Sequence, residues 1–135
     1  MKRKYFVYLI LFLFFPGCAG EWQNPDTTTP AKKLDITSIL INPIAYDSAG
    51  VIVEGKVWDL VFNTLEKDGK DKGSPYTNFK LADRDGNFVN VFALGHLPIA
   101  EGDIVEVVGI YRRDLSTENY RFLNEIEAKR VEKKL

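Results

Sequence analysis

Residues 76–94 read YTNFKLADRDGNFVNVFAL, and this stretch decides the fold. Phe79 and Leu81 share one parity, and Val89, Val91 and Ala93 share another. Each alternates with other residues, the period-2 mark of a strand that buries one face. Between the two runs stands Arg84-Asp85-Gly86-Asn87, where Asp-Gly suits the backbone of a tight hairpin turn. The spacing predicts strands over residues 76–83 and 88–94, joined as a hairpin.

Working outward, residues 51–62 (VIVEGKVWDLVF) place Val51, Val53, Val57 and Val61 on one parity. Gly55 interrupts the series and suits a bend or bulge. Residues 63–75 are predicted to be a polar loop. Downstream, a connector with Pro98 and Gly102 spans residues 95–103. A fourth strand follows over residues 104–112, a polar loop over 114–119 and a fifth strand over 120–131. The end, NEIEAKRVEKKL, is rich in helix formers. A strand is the expectation there, because open sheet edges invite aggregation and a small closed sheet needs its last member. Upstream, residues 34–47 (LDITSILINPIAYD) predict a short helix. Asp35 or Thr37 would cap it, Ile36, Ile39 and Leu40 would form its apolar face, and Asn42-Pro43 would disfavour its continuation.

The first twenty residues, MKRKYFVYLILFLFFPGCAG, carry three basic residues, an apolar run over residues 5–15 and then Pro16, Gly17 and the single cysteine, Cys18. That order predicts a secretory signal over residues 1–17, too short to span a bilayer comfortably. Phe15-Pro16-Gly17-Cys18 resembles the lipobox of bacterial lipoproteins. It keeps the small residue before the cysteine and departs from the family's pattern at Phe15 and Pro16. The resemblance implies lipidation of Cys18 after cleavage, with the protein anchored to a bacterial membrane at the cell envelope, on the periplasmic or outer face. Residues 18–33 then read as the acylated cysteine and an extended tether with two prolines and three threonines, and residues 34–135 as one domain.

Charge narrows the partners. The chain has 18 basic and 19 acidic residues; without Lys2, Arg3 and Lys4 the basic count is 15, leaving the mature chain near −4. A general polyanion binder normally carries a basic excess. With one cysteine there is no internal disulfide, so the domain relies on its apolar core.

Further patterns carry a family resemblance. VIVEGKVWDL, YTNFKLADRDGNFVNVF and EGDIVEVVGIY are similar, in order, to the first strand, the second hairpin and the fourth strand of the OB-fold. The lead-in INPIAYDSAG is similar to that of small nucleic-acid-binding OB proteins. The resemblance covers residues 34–131 and implies an all-β, five-stranded Greek-key barrel with a short N-terminal helix. It implies a ligand face on the outside of strands two and three. Parity places Tyr76, Asn78, Lys80, Phe88, Asn90 and Phe92 outward on that face, with Trp58 at its border. Lys67, Lys70, Lys72, Arg112, Arg113 and Arg121 would supply positive charge. Aromatic rings offer stacking surfaces for bases, and basic groups track phosphate.

The alternative use of these aromatics is burial, with Phe88 and Phe92 covered by the lead-in helix. Catalysis finds little support: His96 is the only histidine and has no metal-binding spacing around it, and no nucleophilic triad can be assembled. The expectation is a non-catalytic, lipid-anchored binding module without a cofactor. Its ligand would be a single-stranded nucleic acid or oligonucleotide. An envelope protein bound on the same face is the alternative.

Overall fold

A computed structural model describes residues 30–67 and 70–134. The expected signal, Cys18 with its expected lipidation, and the first part of the expected tether lie outside the described residues. So do the side chains of Lys67, Lys70 and Lys72. Among the described residues no helix is long and apolar enough to cross a membrane.

The chain is mostly β. Strand β1 (Lys32–Lys33) is followed by helices α1 (Ile36–Ile41) and α2 (Pro43–Tyr46). Then come β2 (Gly50–Lys67), β3 (Lys70–Ala82), β4 (Phe88–Leu94), β5 (Ile104–Ser116) and β6 (Arg121–Lys133). The six strands run in the order β1-β2-β3-β4-β6-β5, and β5 pairs back onto β2. Hydrogen bonds therefore form a closed ring through β2, β3, β4, β6 and β5. Its seams are antiparallel except β4 with β6, which is parallel.

Register explains why the ring holds together. Phe79 faces Val91, Val91 faces Ile126, and Ile126 faces Tyr111. Val57 faces Leu81, Leu81 faces Val89, and Val53 faces Val107. All of these residues are buried in one core cluster. The alternation in each strand is thus in phase with that of its neighbours, and every seam contributes apolar pairs to the same interior. Helix α1 adds Ile36 and Ile39 to this core, while Leu97 and Ile99 of the connector pack against it.

Several expectations change in detail. A sixth strand appears because Lys32 and Lys33, read as tether, pair parallel with Val51 and Ile52. The segment expected as a polar loop over residues 63–75 is instead strand over 63–67 and 70–75: β2 and β3 stay paired through Asn63↔Tyr76, Thr64↔Pro75 and Leu65↔Ser74. Strand pairing uses backbone groups, so polar side chains on both faces do not prevent it. Strand β5 likewise runs to Ser116, and the second polar loop shrinks to a turn in which the Thr117 N–H donates to the Tyr120 carbonyl at 2.8 Å. The C-terminal stretch is a strand, as expected, despite its helix formers; pairing with β5 extends to Val105↔Lys133 and overrides local propensity. The lead-in is two short helices divided at Asn42-Pro43, and the N-cap Asp35 makes no side-chain capping bond.

Two local devices shape the outer face. The register of β2 against β3 slips between Trp58 and Val61, and Asp59 takes a left-handed backbone with φ 52°. The bulge is therefore at Asp59, not at Gly55. Gly55 serves close approach: a Cβ there would stand 2.8 Å from the Ala82 carbonyl oxygen and 2.9 Å from Leu81 Cγ. The Asp-Gly turn is held by Asp83, whose Oδ1 accepts the N–H groups of Asp85 and Asn87, both at 2.9 Å.

Gly55→Ala is expected to destabilise the domain by about 1–3 kcal/mol, the usual range for overpacking against a fixed neighbour. Urea unfolding followed by far-UV circular dichroism checks this; a midpoint equal to that of the parent chain would contradict it.

Candidate functional site

Strand β2 carries Trp58 and Asp59 onto the outer surface, β3 carries Lys80, and β4 starts with Phe88. Cross-strand pairing sets them side by side, with Trp58 opposite Lys80 and Ala82 opposite Phe88. Together they line a groove of about 970 Å³. Trp58 is 52 % exposed and Phe88 37 % exposed, unusual for rings of this size on a sheet. Each has a cation of this same chain over it. Lys56 Nζ stands 5.7 Å from the Trp58 ring centre, and Lys80 Nζ 4.8 Å from that of Phe88. Lys80 also pairs with Asp59 at 3.0 Å, so the bulge aims a carboxylate across the groove.

The groove is electrically mixed. Lys33, Lys56, Lys80 and Arg84 line it, and so do Asp35, Glu54, Asp59 and Asp83. Four cations against four carboxylates leave little net field for a polyanion.

A smaller concavity of about 290 Å³ adjoins the groove, sharing Asp59 and Lys80 with it and reaching Asn78, Asn90, Tyr120 and Glu125. Its floor is a hydrogen-bonded cluster. The Tyr120 hydroxyl donates to Glu125 Oε2 at 2.9 Å. Asn78 Nδ2 donates to the Tyr120 oxygen at 2.9 Å and to the Val91 carbonyl at 3.1 Å. Glu125 is only 4 % exposed and makes no ion pair among the described residues. Burial pushes its carboxyl up to about 7, against the opposing pull of the Tyr120 hydrogen bond. Burial first, and then the adjoining Glu125, push the Tyr120 hydroxyl well above its ordinary value.

The sequence-predicted residues divide into three groups. Trp58, Lys80 and Phe88 meet in the groove, and Asn78 and Asn90 lie in the adjoining concavity, where Asn90 Nδ2 donates to the Leu123 carbonyl at 3.0 Å. Phe92 departs from the expectation of an outward, accessible ring, being 6 % exposed. Its cover is not the lead-in helix. Tyr76 stacks on it at 5.2 Å, Tyr120 leans over it at 4.6 Å and Phe122 meets it edge-on at 5.3 Å. Tyr76 is thereby half-buried in the same cluster. Arg112 stands apart from both concavities; its guanidinium donates to Glu127 at 3.2 Å and to Ser48 at 3.3 Å. Arg121 is likewise paired, to Asp114 at 2.9 Å.

Sequence reasoning missed Asp59, Tyr120, Phe122 and Glu125. Tyr120 and Phe122 alternate at the start of β6, a signal that was present. Nothing in the pattern shows that Glu125 is buried, since glutamate on a strand usually faces water. Among the described residues no group of three or more His, Cys, Asp or Glu side chains is placed to hold a metal ion. Compared with protein-family models, with curated sequences and with solved structures, the chain matches none.

Glu125 gives the domain a definite pH dependence. Its pKa is about 7 in the folded chain against 4.5 for an ordinary glutamate, so the folded state binds more protons between those values. Stability is therefore greatest below about pH 4.5 as far as this group is concerned and falls as pH rises through 7, by about 3 kcal/mol in all. Glu125→Gln, which keeps the hydrogen bond from Tyr120, is expected to flatten that decline between pH 5 and 8 in urea unfolding. An unchanged slope would show that Glu125 is not its source.

Proposed function

We propose that this chain is a non-catalytic binding module of the OB-fold type, displayed at the bacterial cell envelope by a lipid on Cys18. The fold part rests on strand order. Numbering the ring strands β2 to β6 as one to five gives the circuit 1-2-3-5-4-1 with strands three and five parallel, which is the arrangement an OB barrel requires. The ligand part rests on one observation above the rest: Trp58 and Phe88 are exposed in a groove on the outer side of ring strands one to three, with Lys56 and Lys80 over them.

A single-stranded oligonucleotide fits two such rings, which offer stacking worth roughly 1–3 kcal/mol per base. Lys33, Lys56 and Arg84 would meet its phosphates, and Lys56 and Lys80 would have to give up the ring faces to the bases. The carboxylates of the groove weaken this attraction, so few counterions would be released and the salt dependence would be shallow. That same balance of charge favours the second reading, an envelope protein whose own mixed surface meets Trp58 and Phe88.

Fluorescence titration with a short single-stranded oligonucleotide separates the two, using Trp58→Phe to subtract the signal of Trp22. The oligonucleotide reading predicts quenching that weakens as salt rises and is lost in Phe88→Ser. No quenching, or quenching indifferent to salt, would overturn it. A stoichiometric protein recovered from solubilised envelopes and lost in Phe88→Ser would then support the second reading.

A further inference from the structure

Residues 36–46 (ITSILINPIAY) contain no charged side chain. Helix α1 turns Ile36 and Ile39 into the core, as one apolar face requires. Its outward side carries the polar Thr37 and Ser38, but also apolar side chains without cover. Ile41 is 78 % exposed, and Ile44, just beyond the Asn42-Pro43 break, is 73 % exposed; Leu40 beside them is partly exposed. Isoleucines left in water on both sides of the Asn42-Pro43 break form an apolar patch that the core does not cover.

The chain itself says what lies on the other side. Residues 19–31 are all that separates Cys18 from β1, and β1 leads directly into this corner. Fully extended, those thirteen residues reach about 45 Å, and a flexible chain of that length averages about 20 Å. An acyl group on Cys18 would therefore hold the corner close to the bilayer. Lys32 and Lys33, both exposed, stand on the approach and suit anionic headgroups.

We propose that the α1–α2 corner is a membrane-contacting surface. Ile41 and Ile44 enter the boundary between headgroups and acyl chains, with Lys32 and Lys33 against anionic lipid. The inference rests on the acylation of Cys18 proposed above and goes beyond it by assigning the face that meets the bilayer. Two isoleucines alone would bind a membrane weakly; the covalent anchor makes the encounter intramolecular and so raises its effective concentration. Lys33 also lines the Trp58–Phe88 groove, so a bilayer seated at the corner lies beside the rim of that groove.

The test uses the full acylated chain, whose only native thiol is then blocked, carrying Ile41→Cys labelled with a polarity-sensitive fluorophore. Lys129→Cys, on the exposed side of β6, serves as the reference. The samples are reconstituted in phosphatidylcholine–phosphatidylglycerol vesicles with and without spin-labelled lipid. The expected result is blue-shifted emission at position 41, quenched by spin-labelled lipid at least about twofold more than at position 129. Equal quenching at the two positions in an acylated sample overturns the corner and leaves the anchor standing. A blue shift that spin-labelled lipid fails to quench marks burial against a second copy and overturns it too. Intact mass of the same sample reads the anchor separately: a chain without acyl groups at Cys18 removes the anchor, and the proposal with it.

Discussion

The structure depends on β2 pairing on both of its edges. Its first half joins β5, its second half joins β3, and the hand-over occurs near Lys56, which pairs with Ile104 on one side and Ala82 on the other. Because side chains alternate with a period of two, closing the sheet on itself is possible only if every seam keeps the same phase. Outside the local irregularities at Trp58–Val61, Leu65–Lys67 and Val108–Gly109, a slip of one residue in a seam would bring polar side chains into the interior. The apolar rows through Phe79, Val91, Ile126 and Tyr111, and through Val57, Leu81 and Val89, are what fix that phase.

Closure also explains the outer face. The small interior is filled by valine, leucine and isoleucine together with Phe79 and Tyr111, and further large rings at alternate positions are left outside. They follow two courses there. Around Phe92, the rings of Tyr76, Tyr120 and Phe122 gather into a second apolar cluster that ties β6 to β3 and β4. Beneath that cluster Glu125 is sealed from water and satisfied by the Tyr120 hydroxyl, so the parallel β4–β6 seam carries a polar core of its own. Around Trp58 and Phe88 no such aromatic cluster is seen among the described residues, and a lysine ammonium stands over each ring. The contrast between covered and uncovered aromatics on one face is the physical basis for placing the candidate site at the second group.

Much of this was legible in the sequence, because strand alternation is a local signal. Val51, Val53 and Val57 announced the inner face of β2, whereas Val61, of the same parity, lies beyond the bulge and is 45 % exposed; Asp-Gly at residues 85–86 announced the hairpin. Even the C-terminal strand could be argued, although Glu125, Ala128 and Lys129 favour a helix, because closure demanded it. What stayed hidden depends on contacts between distant residues. Parity put Phe92 on the accessible ligand face but could not show Tyr120 and Phe122 folding over it. The strand over residues 63–67 and 70–75 is made by backbone pairing, to which a side-chain pattern is blind. Gly55 suits a bend or a bulge by residue type, whereas the chain places a bulge at Asp59 and keeps Gly55 for close packing against Ala82.

The closed circuit is the claim on which the groove and the buried carboxylate depend. Interstrand backbone NOEs on isotope-labelled protein test it most directly. The account predicts NOEs across both closing seams, between Val53 and Val107 for β2 with β5 and between Val91 and Ile126 for β4 with β6. Helical chemical shifts over residues 124–133, with neither set of NOEs present, would contradict it.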